Sequence, residues 1–238
     1  MLLIGIDLAW GDRKPDGVCC IEAGSQGARI HSFAYPQGDI ELLRVVQELM
    51  AGDREAFLTV DAPIICPNRT GTRPVDRLTH TMFHREHAAC HPANSTKCPR
   101  PPRVRRKLAR LGIQAGWDLG SASKLVAEVY PHPAMVRMLR IPRIVKYKKG
   151  PVENRRSEFQ RLQRLMKDLL KRDFPELMLS GEAKELLSLP WTKPVEDRTD
   201  ALFCALIGLW HWKPQGTRSE VIGNLKTGFI LLPAAISV

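Results

Sequence analysis

Two short, almost wholly apolar runs each end in an aspartate. LLIGID closes at Asp7, and FLTVD closes at Asp61 just before Ala62-Pro63. Two further aspartates, Asp197 and Asp200, stand at the head of the apolar stretch EDRTDALFCALIGLWHW. A carboxylate at the edge of a hydrophobic core is costly unless a cation or a hydrogen-bond network compensates its charge. Three core elements that each deliver a carboxylate from one end can assemble an oxygen-lined site for Mg²⁺ or Mn²⁺. The pattern points to metal-assisted chemistry on phosphates.

Residues 2–8 form a nearly continuous apolar run, as in a strand buried on both faces, and FLTVD reads as a second such strand. GVCCIEA and ARIHSFAY are strand-like, and the link GSQG between them predicts an antiparallel hairpin. IELLRVVQELM has helical spacing with Gly52-Asp53 as a stop signal. Ala62, preceding a proline, is biased toward extended backbone, which carries the chain off the sheet straight after Asp61. PVDRLTHTMFHREHAACH reads as a polar helix, PANSTKCPRPPR as a loop and VRRKLARLGIQAG as a short basic helix. KLVAEVYPHP predicts a strand ending before Pro131. ENRRSEFQRLQRLMKDLLKR is amphipathic, with Phe159, Leu162, Leu165, Met166, Leu169 and Leu170 as its apolar stripe. A final helix is expected from about Glu196 to Trp212, then a β pair, SEVIGN and GFILLP. A hairpin combined with strands that need helical crossovers gives a mixed α/β sheet, covered by helices on both faces, with a site beyond the strand ends.

Within the first strand Leu3, Gly5 and Asp7 share one side, and Gly5 leaves room beside Asp7 for a close-approaching group. Asp197 and Asp200 are three residues apart, on one face of what reads as a first helical turn at the positive end of the helix dipole.

The net charge of +11 is unevenly spread. Between Lys97 and Arg172 stand 21 Lys and Arg against 5 Asp and Glu, while the rest of the chain carries 15 against 20. A concentrated basic excess suggests a polyanionic partner, nucleic acid foremost, against the plainer reading of a solvated basic surface. No apolar run approaches the ~20 residues of a membrane span, and MLLIGIDLAWGD lacks the basic flank and apolar length of a signal peptide. Six cysteines in 238 residues do not read as a disulfide framework; reduced thiols in a cytoplasmic protein are the simpler account. Aromatic residues make up 6% of the chain and offer no obvious base-stacking platform, so backbone recognition is expected.

GIDLAWG, TVDAPI, RPVDR, EVYPHP, YKKG and EDRTDALFCAL, in that order, resemble the family known as domain of unknown function 429, whose members look like nucleases of the RNase H-like superfamily. The resemblance covers nearly the whole chain. It implies an RNase H-like three-layer α/β/α core with a five-stranded mixed sheet whose second strand is antiparallel. The chain would then be one domain over residues 1–238 with a basic helical and loop insertion at about 66–120. Asp7 and Asp61 would be metal ligands from the first and fourth strands, and Asp197 and Asp200 the acidic pair of the last helix. Two Mg²⁺ or Mn²⁺ ions about 3.5–4 Å apart would then serve hydrolysis of a phosphodiester in DNA or RNA. Glu128 is a candidate further ligand or base, or a strand-edge residue paired with a cation. Lys148, Lys149, Arg155 and Arg156 could hold phosphates. Arg73 and Asp76 match the family segment after TVDAPI without a role attached.

His80, His84, His87 and His91, spaced 4, 3 and 4, would share one face of a helix, with Cys66, Cys90 and Cys98 near in sequence. Structural zinc is chemically possible there, as is a solvated or phosphate-facing stripe. Two other readings of the whole chain compete with the nuclease. One is a non-catalytic nucleic-acid-binding module whose carboxylates hold a structural metal. The other is an ATP-handling relative of the same fold, disfavoured by the single core copy and a glycine-poor GIDLAWGD.

Overall fold

The computed structural model describes residues 1–52 and 54–235. The chain begins with β1 (Leu2–Asp7), β2 (Gly17–Gly24) and β3 (Gly27–Ala34), an antiparallel meander. α1 (Gly38–Leu49) then crosses over, and β4 (Ala56–Val60) returns parallel to β1. α1 ends at Leu49, and Gly52 takes a positive φ of 89°; Asp53, the other half of the expected stop, lies outside the described residues. Between β4 and the next long strand come α2 (Pro74–Phe83), α3 (Arg100–Arg110) and β5 (Gln114–Ala115). β6 (Lys124–Glu128) pairs parallel to β4. After it follow α4 (Pro131–Met138), α5 (Val152–Asp173), β7 (Leu177–Met178), α6 (Gly181–Leu186) and α7 (Lys193–Trp212). β8 (Ser219–Asn224) and β9 (Gly228–Pro233) form a separate antiparallel pair.

The main sheet has seven strands in the order β5-β6-β4-β1-β2-β3-β7, and β2 alone runs against the others. The expectation of five strands is therefore two short. The additional strands, β5 and β7, are two-residue edge strands, too brief to show a period of two in sequence.

Alternation along the central strands divides the core. Leu2, Ile4 and Ile6 pack with Leu42 and Val46 of α1 and Val104 and Leu108 of α3. Leu3, Phe57 and Leu125 face the other way, into a larger core with α4, α5, α6 and α7. α7 is the keystone of that second face: every residue from Val195 to His211 except Arg198 is buried. Each large apolar side chain so enclosed contributes roughly 1.5–3 kcal/mol.

Two glycines let α7 lie directly on the strands. A Cβ on Gly5 would stand 2.1 Å from the Ala201 carbonyl oxygen, and one on Gly17 would stand 2.1 Å from that of Asp197. The close-approaching group for which Gly5 leaves room is thus the helix backbone. On β4 the Thr59 hydroxyl donates to the Cys204 carbonyl at 2.7 Å, a buried tie that sets the helix along the sheet.

Candidate active site: carboxylates at the strand ends

Asp7 ends β1, and Asp61 follows directly on β4; their strands are parallel with Ile6 opposite Val60. The Asp61 amide donates to the Ile6 carbonyl at 2.9 Å, so the two carboxylates stand side by side at neighbouring strand ends. Asp7 shares its parity with Gly5, and Asp61 with Thr59, so both face α7. Because Gly17 admits the Asp197 backbone and Gly5 admits Ala201, the α7 carboxylates reach the same end of the sheet.

α7 begins three residues earlier than expected. Thr192 caps it, with its hydroxyl accepting from the Val195 amide, and Pro194 lies in the first turn. The acid of that turn is Glu196, tied to Trp191 Nε1 and Lys193 Nζ at 2.6 Å each. Asp197 and Asp200 lie beyond it, where the dipole counts for less and tertiary partners decide. Asp197 takes hydrogen bonds from the Tyr35 hydroxyl at 2.7 Å and an ion pair with Lys193 at 2.6 Å. Asp200 is fully buried. It accepts from the Tyr147 hydroxyl at 2.5 Å, and Lys148 Nζ stands 2.8 Å from its Oδ2.

One ammonium thus faces several carboxylates. Burial pushes the Asp7 carboxyl well above its usual range; Lys148 pulls it back, while Asp200, Asp61 and Asp197 push it further up. Burial likewise lifts Asp61 to about 6 against the pull of Lys148, with Asp200 adding to the rise. Asp200 is raised by burial, with Lys148 and Tyr147 opposing. Burial works against the charge on Lys148, but Asp200, Tyr147, Asp7 and Asp61 outweigh it and hold the ammonium well above its ordinary value.

Asp7, Asp61, Asp197 and Lys148 line a cleft of about 1120 Å³, with Arg13, Lys14, Lys146, Lys149 and Lys193 also on its walls. His132 lies there too. The hydroxyl of its neighbour Tyr130 stands 3.1 Å from the Ala89 carbonyl and 3.0 Å from His132 Nδ1. Burial, with Lys148 beside it, lowers the imidazole to about 3, which keeps it neutral near pH 7. Tyr35, Tyr147, Lys193 and His132 escape a sequence reading. The signal for two of them was the segments YKKG and EVYPHP, which contain or adjoin them.

Several expected site residues lie elsewhere. Glu128 has the parity of Val126, which packs on the α1 and α3 side, so it points away from Asp61's face. Both its oxygens are held by Arg73, at 2.8 and 2.7 Å, and one also takes the Ile64 amide at 3.2 Å. Arg73 also grips Asp76 at 2.7 Å, giving this matched segment a structural occupation. Glu128 is thus paired with a cation, as the alternative reading had it, and lines with Arg73, Asp76 and Asp61 a small pocket beside the large cleft. Of the proposed phosphate holders, Lys148 is committed to Asp200, and Lys149 lines the cleft 3.4 Å from His91 Nε2. Arg155 stacks its guanidinium 4.5 Å above Trp191, and Arg156 is exposed away from the cleft lining.

The histidine stripe does not form. α2 stops at Phe83, which ends the helical period after His80; the His80 and His84 rings stack at 5.6 Å, while His87 turns away with a φ of 59°. His87 and His91 join the cleft wall instead. Cys66 and Cys98 bring their sulfurs to 3.9 Å, and the Cys98 thiol donates to the Asn94 carbonyl, while Cys90 is held separately. Among the described residues no three His, Cys, Asp or Glu side chains are gathered to hold a metal ion. At the strand ends Lys148 pairs directly with Asp200, and its charge acts on Asp7 and Asp61 as well.

Fold and site together define an α/β protein with an acidic cluster at the carboxyl ends of its central parallel strands. The chain belongs to the family described as Protein of unknown function (DUF429), whose model matches residues 5–224. No curated protein and no solved structure matches it. Among the described residues no helix is long and apolar enough to cross a membrane.

Proposed function

We propose that this protein is a divalent-metal-dependent nuclease of RNase H-like fold that hydrolyses phosphodiester bonds in DNA or RNA. The observation that carries the reading is the pair Asp7 and Asp61 at neighbouring parallel strand ends on the wall of a basic-walled cleft, joined there by Asp197 of α7, with the buried Asp200 paired to Lys148 of the same wall. The central strand order β6-β4-β1-β2-β3, with β2 reversed, supports the fold assignment. The donor set suits a hard cation: it is all carboxylate oxygen, and Asp200 Oδ2 is buried with no hydrogen bond beyond its ion pair.

Asp7, Asp61, Asp197 and Asp200 would hold Mg²⁺ or Mn²⁺. Two such ions would activate water and stabilise the leaving oxygen of an in-line displacement. Lys148 neutralises part of the acidic charge, and the upward shift that burial leaves on Asp7, Asp61 and Asp200 is one that a bound cation would oppose. Lys146 and Lys149 on one wall, with Arg13 and Lys14 on another, can hold phosphates without reading sequence.

The test is cleavage of single- and double-stranded DNA and RNA, hybrids and branched junctions with Mg²⁺ or Mn²⁺. Metal-dependent cleavage should fall at least about a hundredfold in Asp7→Asn and Asp200→Asn, the loss of a transition-state electrostatic contact. A second reading, a binding module without catalysis, is favoured by the Lys148–Asp200 ion pair, which already compensates the deepest carboxylate. Nucleic-acid binding with no cleavage under any metal would select it.

A further inference from the structure

Trp10 stands three residues beyond Asp7, on the loop between β1 and β2. A lone exposed aromatic is ordinary on a protein surface, but this one differs in three ways. First, its loop is braced from beneath. The Ala9 amide donates to Asp16 Oδ1 at 2.9 Å; Arg100, fully buried, donates to the Ala9 carbonyl at 2.8 Å and to both Asp16 oxygens at 2.7 and 2.6 Å. Asp39 fixes the same guanidinium through Nε at 2.9 Å. The indole is therefore presented on rigid backbone although it is 37% exposed. Second, it has no ring–ring or cation–π partner among the described residues, although ten of the chain's Phe, Tyr and Trp residues do, including Trp117, Trp191 and Trp210. Third, it lines both the large cleft and the smaller one beside Asp61, so it stands where the two meet.

The neighbours of Trp10 decide what could cover it. Arg13 and Lys14 on the same loop are exposed, and Lys146 and Lys149 face the same cleft. An apolar protein partner would have to desolvate these cations without return. A ligand with a flat π-face on a polyanionic backbone satisfies both features: the face on the indole, the phosphates on the rim. Within a duplex the faces of the bases are stacked on one another and closed to the indole.

We infer that Trp10 is a stacking platform for an unpaired nucleobase, so that the cleft takes a single-stranded segment whose backbone passes the Asp7–Asp61 edge. The inference rests on the nucleic-acid reading above and names the substrate class for it. It adds a stacking contact to the backbone recognition expected from the low aromatic content. One braced indole beside the acidic cluster is enough to hold a base, since stacking needs a π-face and not a sequence.

The experiment is binding by fluorescence anisotropy, with full-length protein in chelator so that no strand is cut. The probes are a labelled oligothymidylate, an abasic strand with the same number of phosphates, and a duplex of equal length. Wild type should bind the oligothymidylate most tightly. Trp10→Ala should weaken that complex about tenfold while leaving the abasic strand within about twofold, and Trp10→Phe should retain most of the difference. Equal losses on the oligothymidylate and the abasic strand, no loss at all, or tighter wild-type binding to duplex would each overturn the inference. Cleavage with Mn²⁺ is scored separately. A Trp10-dependent preference without cleavage leaves the stacking site standing and removes the nuclease. Cleavage with binding indifferent to Trp10 does the reverse.

Discussion

Around Arg73, every carboxylate oxygen of Asp76 and Glu128 accepts a hydrogen bond, from the guanidinium or from the amides of Ala93 and Ile64. At the strand ends, Asp7, Asp61 and Asp200 share the ammonium of Lys148, and burial outweighs it at each of them. The two groups use the same ingredients, and Asp61 lines a small pocket together with Arg73, Asp76 and Glu128. The first is buried and holds the segment after β4 in place. The second reaches the wall of the large cleft through Asp7 and Asp61. Burial outweighs the cation at Glu128 too, lifting it to about 7, so what marks the second group for function is that cleft rather than its charge balance.

The comparison can be broken most severely at Arg73. Arg73→Ala leaves two buried carboxylates without their counter-charge and should lower unfolding stability by about 4 kcal/mol, read by urea denaturation. Burial opposes the charge on Arg73, but Glu128 and Asp76 outweigh it, so the arginine stays charged; burial lifts Glu128 to about 7, so the loss should be greatest above neutral pH and smaller below it.

Gly5→Ala attacks the other cluster without touching the first. The added methyl meets the α7 backbone at 2.1 Å, so helix and strand must part, and a cost of about 3 kcal/mol is expected in the same melts. Any folded remainder should lose cleavage before it loses nucleic-acid binding.

Lys148→Met tests the second cluster by its pH response. Without the ammonium, Asp7, Asp61 and Asp200 repel one another, and about 2 kcal/mol should be lost at pH 8. That deficit should shrink on acidification as the carboxyls take up protons, and the Arg73→Ala deficit should shrink as well once Glu128, already raised to about 7 by burial, takes up its proton. A constant Lys148→Met deficit from pH 8 to pH 5 would show that the lysine acts by packing and not by charge.

The smallest effect has the opposite sign. The Asp61 carboxyl is raised from 3.8 to about 6, so the folded state binds its proton more tightly than the unfolded state. Its contribution to stability is present at low pH and is lost as pH rises through about 6. Asp61→Asn removes that penalty and should stabilise the fold by about 1 kcal/mol at pH 7.5, with no gain near pH 4, while abolishing cleavage. Destabilisation at pH 7.5 would mean that Asp61 is structural, like Glu128.

Much of the skeleton was readable in one dimension. The hairpin of β2 and β3, the buried strands β1 and β4, the amphipathic α5 and the terminal β pair all follow from local periods of two or 3.6. The four aspartates were readable because a charge at the end of an apolar run is locally anomalous. Glu128 looked like a fifth for the same reason, yet it stands one position out of phase, and a strand's alternation turns it to the other face. The histidines failed differently: their spacing presumed a helix that stops at Phe83. Nothing local announces that Lys148, in an irregular segment, pairs with Asp200 more than fifty positions away.

By itself, then, the chain's order of residues determined which elements form and that aspartates would stand at their ends, because those are properties of neighbours within a turn or a strand. Which carboxylates meet, which one is neutralised and which indole stays uncovered were decided only in three dimensions. Two missing Cβ atoms, at Gly5 and Gly17, let α7 settle on the sheet, and that contact alone brings residues about two hundred positions apart into one electrostatic field.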